Sequence, residues 1–348
     1  MQADSLGARL SDFCRVSLPG TAAADVQDLA RLSDGWESEI YFFSLPDASG
    51  CARDLVLRMY PGNPASAPDR KCEREYTAMR MLRDAGYPVP RVFAMERSAS
   101  VLGSPFLIME RVKGVNFDTV FAQALPADRP RLAKLVIDLF AQLHGLDWRP
   151  FWKAFSVDGR QGGEPDTHRL IISELEEYRG YVERLDERGF DCLLDWLAGR
   201  LSSVSLATPS LVHLDFHTRN ILMTPERRPY VIDWTGARVS DYRFDVAWGL
   251  IFVAPEMEQD FLALYRHVSG RDLADLEYFR SLAWSRRLLS IMISVRHGAE
   301  QLGMRPGAEN AMRRNPRHME SVYRSLLGVT GIRLPDVEAL LAELGRPA

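Results

Sequence analysis

Three polar side chains lie near one another in the sequence, around a predicted hairpin. Asp215 and Asn220 are five residues apart on one loop, and Asp233 follows an apolar run. The stretch from residue 211 to residue 233 alternates short apolar runs with a polar segment and a Pro-Glu-Arg-Arg-Pro turn, which is typical of a strand, a loop and a hairpin. We therefore expect the hairpin to bring the carboxylate of Asp233 beside Asp215 and Asn220.

These three residue types suit phosphoryl transfer. Its transition state spreads negative charge over the transferred group, so a protein mainly supplies positioning, metal ions and one carboxylate that orients the attacking hydroxyl. Asp215 is the candidate for that carboxylate, whereas Asn220 and Asp233 offer oxygen ligands to Mg²⁺, a hard cation.

A zinc site is the competing interpretation of the same loop. His213, Asp215 and His217 are spaced so that they would share one face of a strand, and their donor atoms suit zinc. The next histidine is His267, and no second cluster follows it. The sequence therefore favours phosphoryl transfer and leaves a zinc hydrolase as an alternative.

The surrounding sequence predicts strands first and helices afterwards. An amphipathic helix is expected at residues 5–16, and β-type runs at residues 29–32, 40–45 and 55–60 are separated by turn signals. Helical spacing of apolar residues follows at 71–82, and further strands are predicted from residue 88 and at 104–110. Beyond Gly114, helices are predicted around 132–143, 171–190, 276–292 and 334–344.

The motif His-Leu-Asp-Phe-His-Thr-Arg-Asn-Ile-Leu, from His213 to Leu222, and the later Val-Ile-Asp-Trp resemble the aminoglycoside phosphotransferase family. The spacing also resembles the catalytic and metal-binding loops of the protein-kinase-like superfamily. The resemblance implies an α+β, bilobal protein-kinase-like fold, with a small β-rich N-terminal lobe at 1–112 and a large helical lobe at 113–348. It also implies ATP or GTP and Mg²⁺ as cofactors.

On this resemblance, the nucleotide phosphates would be bound from three places. The loop 33–39 would cover them, with Ser38 or backbone amides nearby. Arg58 stands where kinases carry a strand lysine, and arginine can bind phosphate oxygens bidentately. Glu75 matches the helix glutamate that pairs with this cation, and Glu73 is the alternative if the register differs by two residues.

The segment after the strand at 104–110 matches the hinge of the family. There, adenine would bond the carbonyl of Glu110 and the amide of Val112, with Met109 at the back of the pocket. The resemblance gives His213 and Asp245 the task of supporting the catalytic loop, although Asp241 or Asp245 is equally the type of residue that caps a helix. The family often has an acidic residue where this chain has Thr235, so the surroundings of Asp233 depart from the family pattern.

The acceptor is expected to be a small hydroxylated molecule, because the long segment with which protein kinases receive polypeptides is absent from the sequence. Its charge stays open. Residues 164–191 are rich in acidic side chains and would suit a cationic aminoglycoside. The later segment with Arg305, Arg313, Arg314 and Arg317 would suit an anionic or neutral acceptor. A metabolic kinase for choline, homoserine or a sugar, and a nucleotide-binding scaffold without catalysis, therefore remain alternatives to antibiotic modification.

The amino-acid composition bears on three further properties: nucleic-acid binding, redox compartment and membrane association. The 348 residues are 46% hydrophobic and 26% charged, and the formal net charge of −4 gives no sign of a nucleic-acid partner. Four scattered cysteines form no Cys-x-x-Cys pair, and we expect a reducing cytoplasm. No apolar run approaches a membrane span, so no membrane partner is expected, and oligomeric state is left undetermined.

Overall fold

The computed structural model describes residues 2–18, 25–32, 38–46, 51–62, 67–155, 164–305 and 307–345. The chain divides into two compact units, each built from three stretches. The first unit comprises Met1–Val115, Ile221–Thr235 and Ala299–Ala308, and the second comprises Asn116–Asn220, Gly236–Gly298 and Glu309–Ala348. The lobe ranges expected from the sequence, 1–112 and 113–348, stay a prediction.

The first unit contains a five-stranded antiparallel sheet. Its strands are β1 Gln27–Leu32, β2 Glu39–Pro46, β3 Ala52–Met59, β4 Val92–Glu96 and β5 Phe106–Glu110. Their order across the sheet is β1-β2-β3-β5-β4, so β3 lies at the centre. The strands predicted at 29–32, 40–45 and 55–60 are confirmed, since hydrophobic and β-branched runs between turns favour half-buried strands.

Two helices complete this unit. Helix α1, Gln2–Ser17, places Leu10 and Cys14 in a buried cluster with Phe43 and Leu55 of the sheet. Helix α2, Pro68–Asp84, begins at a proline, whose fixed φ suits a first helical turn, and packs on β4 and β5. Because α2 carries Glu75 and β3 carries Arg58, the packing of this unit decides whether those side chains meet.

The predicted strand and hairpin around residues 211–233 are present as short elements. The strand is β7 Ser210–Val212, and the hairpin is formed by β8 Ile221–Met223 and β9 Pro229–Val231. Two further short strands are β6 Val115–Asn116 and β10 Arg238–Ser240. In the first unit, β8 pairs antiparallel with β9. In the second unit, β7 pairs antiparallel with β10, and the loop that follows β7 carries Asp215.

The second unit is otherwise helical. Its helices are α3 Phe117–Gln123, α4 Arg129–Gly145, α5 Arg149–Phe155, α6 Thr167–Leu185, α7 Asp191–Arg200, α8 Tyr242–Leu250, α9 Glu258–Ser269, α10 Leu276–His297, α11 Glu309–Arg313, α12 Pro316–Thr330 and α13 Pro335–Leu344. Helix α10 packs against α7, α8 and α12 and supplies much of the core of this unit. It ends where Gly298 takes a positive φ of 94°.

One predicted helix is wrong in its extent. The sequence indicates a helix at 171–190, but α6 ends at Leu185 because Asp186 adopts a left-handed conformation with φ 54° and a separate helix starts at Asp191. Aspartate tolerates this conformation better than most residues, and its presence is a weak stop signal. Among the described residues, no helix is both long and apolar enough to cross a membrane.

Candidate active site

In the second unit, Asp215 lies in the loop after β7 with 40% of its side chain exposed. Its Oδ2 accepts a hydrogen bond from Nδ2 of Asn220 at 2.9 Å, and its Oδ1 accepts one from the indole N–H of Trp248 at 3.3 Å. The Nε2 atom of His217 is 3.5 Å from the same Oδ1. Two donors thus orient a carboxylate that remains accessible, as a group that receives a hydroxyl proton must be.

The amide of Asn220 has a defined orientation. Its Nδ2 donates both to the Asp215 carboxylate and to the Asp215 carbonyl, each at 2.9 Å. Both bonds use the nitrogen, and no other described residue donates a hydrogen bond to Oδ1 of Asn220. An amide oxygen in this state can serve a hard cation, so Asn220 fits the role of a Mg²⁺ ligand.

Asp245 supports the backbone of this loop. It is fully buried in α8, and its two carboxylate oxygens accept the backbone N–H groups of His213 at 2.8 Å and Leu214 at 2.7 Å. Burial lowers the pKa of His144, which keeps that imidazole neutral. His144 Nε2 then donates to Asp245 at 3.2 Å, while its Nδ1 accepts from Tyr265 at 2.7 Å. The helix cap is Asp241 instead, which accepts from the N–H of Arg243.

We predict that Asp245→Asn destabilises the protein by about 2–4 kcal/mol, because an amide cannot accept both backbone N–H groups and a buried unsatisfied donor costs about 1–3 kcal/mol. The measurement is the midpoint of urea unfolding followed by circular dichroism. Glu176→Gln, the same change of acid to amide at an exposed position of α6, is the control and should leave the midpoint unchanged. Equal midpoints for the two variants would show that Asp245 does not brace the loop.

The buried imidazole of His213 belongs to the loop itself. Its Nδ1 accepts the backbone N–H of Asp215 at 3.2 Å, across Leu214, whose φ of 58° lies in the left-handed region. Within the described residues, no three His, Cys, Asp or Glu side chains gather in a way that could hold a metal ion. The arrangement of His213, Asp215 and His217 does not support the alternative zinc interpretation, since Nδ1 of His213 accepts a backbone N–H.

In the first unit, three sequence-predicted residues meet. Arg58 is buried, and its Nη1 is 3.3 Å from Oε1 of Glu75, while its Nη2 donates to Oδ1 of Asp233 at 2.6 Å. Glu73, the alternative partner, pairs with Arg97 at 3.1 Å on the surface. Although burial opposes its charge, the carboxylates of Asp233 and Glu75 raise the pKa of Arg58 well above its usual value.

Two residues that sequence reasoning missed complete this cluster. The hydroxyl of Tyr60 donates to Glu75, and the backbone N–H of Trp234 donates to Oε1 of the same carboxylate at 3.1 Å. Asp233 adopts a φ of 68°, which costs energy for a residue other than glycine and is held here by the ion pair with Arg58. Tyr60 follows β3 by one residue, but nothing in its local sequence signals a contact with a helix.

The remaining predicted nucleotide contacts lie at separate places in the first unit. Ser38 is buried just before β2, whereas residues 33–37 of the predicted phosphate-covering loop lie outside the described residues. Met109 and Glu110 end β5, where Met109 pairs with Val56 and is buried. The amide of Val112 donates no hydrogen bond to any described residue, so it is available to a ligand.

The acidic and basic segments of the second unit contain both buried and exposed charges. Glu174 is buried and pairs with Arg238, and Arg313, Arg314 and Arg317 are exposed. Arg286 of α10 lies over Trp248, which donates to Asp215, and the charge of Asp215 acts on the neighbouring Arg287. The signal that could have found them is two consecutive arginines in a helix whose residues are mostly apolar.

Comparison with known protein families gives one broad match. The model of the phosphotransferase enzyme family matches residues 28–280. Among curated proteins, mouse acyl-CoA dehydrogenase family member 10 is 28% identical over 239 residues, which are 67% of this chain and 21% of the mouse protein. Hygromycin-B 4-O-kinase of Escherichia coli is 26% identical over 232 residues, or 64% of this chain and 61% of that protein. The chain thus spans only about a fifth of the mouse relative.

Solved structures share the fold at low sequence identity. A Ralstonia eutropha protein provisionally assigned as an aminoglycoside phosphotransferase is 21% identical, with a TM-score of 0.60 and coverage of 97% of both chains. A choline kinase from Streptococcus pneumoniae is 12% identical, with a TM-score of 0.57 and coverage of 94% of this chain and 99% of that chain. The expected α+β, protein-kinase-like fold is confirmed.

Proposed function

Because this chain belongs to the phosphotransferase enzyme family, we propose that it transfers the γ-phosphoryl group of a nucleoside triphosphate to a hydroxyl of a small molecule. The observation that carries the proposal is the accessible carboxylate of Asp215, oriented by Asn220 and Trp248. In the reaction, the acceptor oxygen forms a bond to the γ-phosphorus, and the bond to the β–γ bridging oxygen breaks. The hydroxyl proton moves to Asp215, and a nucleoside diphosphate leaves.

The proposed nucleotide site uses the cluster in the first unit. Arg58 would bind phosphate oxygens, and Glu75 with Tyr60 would hold its guanidinium in place. A pre-oriented cation costs little reorganisation when charge shifts during transfer. The unused amide of Val112 and the carbonyl of Glu110 are the proposed contacts to the base, with Met109 beside them and Ser38 near the phosphates.

Asn220 and Asp233 are the proposed ligands of Mg²⁺. The unused amide oxygen of Asn220 and the carboxylate of Asp233 are both hard donors, which fit this ion. When bound, Mg²⁺ would neutralise charge on the β- and γ-phosphate oxygens. His213 and Asp245 are proposed to act only by positioning the loop that carries Asp215.

The test is transfer itself. Purified protein is incubated with Mg·ATP or Mg·GTP and a panel of aminoglycosides, choline, homoserine and sugars. Diphosphate release is measured together with ³¹P NMR of the product. We expect release that depends on the acceptor, a new phosphate monoester resonance, and loss of both when EDTA removes Mg²⁺.

The same panel separates the alternative functions. Phosphorylation of choline, homoserine or a sugar, without modification of aminoglycosides, would assign a metabolic kinase. Tight binding of Mg·ATP with neither transfer to any acceptor nor slow hydrolysis would contradict the proposal and favour a nucleotide-binding scaffold.

A further inference from the structure

Helix α10 carries two consecutive arginines without carboxylate partners. Within the described residues, neither Arg286 nor Arg287 has a carboxylate oxygen within 4.0 Å. Other arginines of the same helix are paired, since Arg280 binds both oxygens of Glu258 and Arg296 lies 3.2 Å from Glu187. The two unpaired cations therefore stand out against the pattern of the helix.

Arg286 is connected to Asp215 through one aromatic ring. Its guanidinium lies over the ring of Trp248, with its Cζ atom 4.6 Å from the ring centroid, and the Trp248 indole donates to Asp215. The Nη1 atom of Arg286 is sealed from solvent and has no hydrogen-bond partner among the described residues. A buried donor in this state is costly, so the environment of Arg286 leaves part of its hydrogen-bonding capacity unmet.

Arg287 is connected to the same loop through a row of aromatic rings. His217 is 3.5 Å from Asp215, and its ring lies 4.7 Å from that of Phe252. The Phe252 ring stacks on His318, with centroids 6.2 Å apart, and Nε2 of His318 accepts the Nε–H of Arg287 at 3.1 Å. A continuous layer of rings thus places both arginines around the candidate base.

His318 fixes how Arg287 points. Burial, followed by the charges of Arg287 and Arg219, lowers the pKa of His318 to about 4, so its imidazole is neutral near pH 7 and accepts with Nε2. The Nη1 and Nη2 atoms of Arg287 make no hydrogen bond to a described residue, and the side chain is half-buried. A guanidinium held by its Nε with both terminal nitrogens available is the arrangement that binds an oxyanion bidentately.

The electrostatics of this position favour an added negative charge. Burial lowers the pKa of Arg287, and although the Asp215 carboxylate raises it, the charges of Arg219 and Arg286 lower it again. Removing a cation from water without a full counter-charge is unfavourable. A bound anion would supply the missing charge.

We propose that Arg287, supported by Arg286, binds a carboxylate or phosphate of the acceptor, so that the substrate is an anionic hydroxylated molecule rather than a polycationic one. This inference rests on the proposed function, since it assigns the acceptor of the same site. Arg287 is accordingly a specificity-determining residue. Asp215 receives the hydroxyl proton, and the arginines orient the molecule that carries the hydroxyl.

Two measurements test the proposal. The first compares acceptors of equal chain length: an ω-hydroxy carboxylate, a diol monophosphate, an ω-hydroxy amide and an amino alcohol. We expect kcat/KM to be higher for the two anionic compounds than for the amide and the amino alcohol. The ratio of kcat/KM for the carboxylate to that for the phosphate identifies which anion the site prefers. Arg287→Gln should reduce kcat/KM for the anionic acceptors about 10- to 100-fold and leave kcat/KM for the hydroxy amide unchanged.

Arg287→Lys keeps the charge but not the bidentate geometry. Its kcat/KM for the anionic acceptors should therefore lie between the values of wild type and Arg287→Gln.

The second measurement needs no catalysis. Calorimetric titration with glutarate and with inorganic phosphate compares wild type, Arg287→Gln and the control Arg324→Gln, which removes an exposed arginine of α12. We expect wild type and the control to bind alike, and Arg287→Gln to bind at least tenfold more weakly. Equal binding by all three proteins would overturn the proposal, as would a loss of turnover with Arg287→Gln that is the same for every acceptor.

The two hypotheses fail in different ways. If anion binding depends on Arg287 but no acceptor is phosphorylated, the proposed function is wrong while the anion site stands. If phosphate is transferred but cationic or neutral acceptors are preferred, and Arg287→Gln has no selective effect, the function stands and the anion site is wrong.

Discussion

Asp215→Asn is expected to lower kcat by about 10²- to 10⁴-fold, the range that a positioned acid–base group contributes. The substitution keeps the size of the side chain, and its amide oxygen can still accept from Trp248 or Asn220. In the proposed mechanism, what the variant loses is the capacity to take the hydroxyl proton. The measurement is steady-state turnover with Mg·ATP and the best acceptor from the panel.

The control for this experiment removes a carboxylate that is not part of the candidate active site. Glu176→Gln lies on the exposed face of α6 and should keep full turnover. Circular dichroism and the affinity for Mg·ATP should be the same in both variants, because Asp215 is not a proposed nucleotide contact. Near-native turnover of a folded Asp215→Asn protein would remove Asp215 from the role of base.

Local patterns were sufficient to predict most of the elements. The β-type runs of β1, β2 and β3 are bounded by turn residues, and the long apolar stripe of α10 has no glycine or proline to interrupt it. Such signals depend only on neighbours in the sequence. The extent of α6 was predicted wrongly, because the left-handed turn at Asp186 is compatible with several residue types and leaves little trace in the pattern.

The candidate site was predictable only in part, and the division has a physical cause. Asp215 and Asn220 lie on one loop, so their contact follows from spacing. Trp248 belongs to α8 and reaches Asp215 only because that helix packs beside β7. Tyr60 and Arg287 likewise meet their partners through long-range packing, which no single segment encodes.

Arg286 and Arg287 also change what the charged residues of the sequence indicate about the acceptor. Acidic residues at 164–191 suggested a cationic acceptor, but buried Glu174 is neutralised by Arg238, and Glu176 and Glu183 are exposed to water, which screens their charges. A charge that is already paired contributes little to ligand selection, whereas an unpaired buried charge contributes much. The proposed preference for an anion therefore follows from which charges are unpaired and not from how many of each sign are present.

Asp233→Asn is expected to remove the dependence of nucleotide affinity on Mg²⁺ and to lower turnover about 10²- to 10³-fold, as the loss of one preorganised electrostatic group does. Arg58 already binds Oδ1 of Asp233 at 2.6 Å, so the carboxylate is fixed before any metal arrives. A neutral amide is a weaker ligand and a weaker partner for Arg58. Calorimetry of ATP binding, with Mg²⁺ and with EDTA, measures the effect in wild type and variant.

Calorimetry with and without Mg²⁺ distinguishes two roles of Asp233, namely a ligand of the metal and a structural partner of Arg58. If Asp233 only neutralises Arg58, its replacement should change ATP affinity by the same factor with and without Mg²⁺, because Arg58 acts on the phosphates directly. If Asp233 binds the metal, the additional loss of ATP affinity in the variant should appear only when Mg²⁺ is present. Asp69→Asn, an exposed carboxylate of α2 paired with Arg97, is the control and should behave as wild type in both conditions. A Mg²⁺-dependent gain in ATP affinity that is undiminished in Asp233→Asn would exclude Asp233 as a ligand, because replacing one of the two proposed ligands should reduce the affinity gained from the metal.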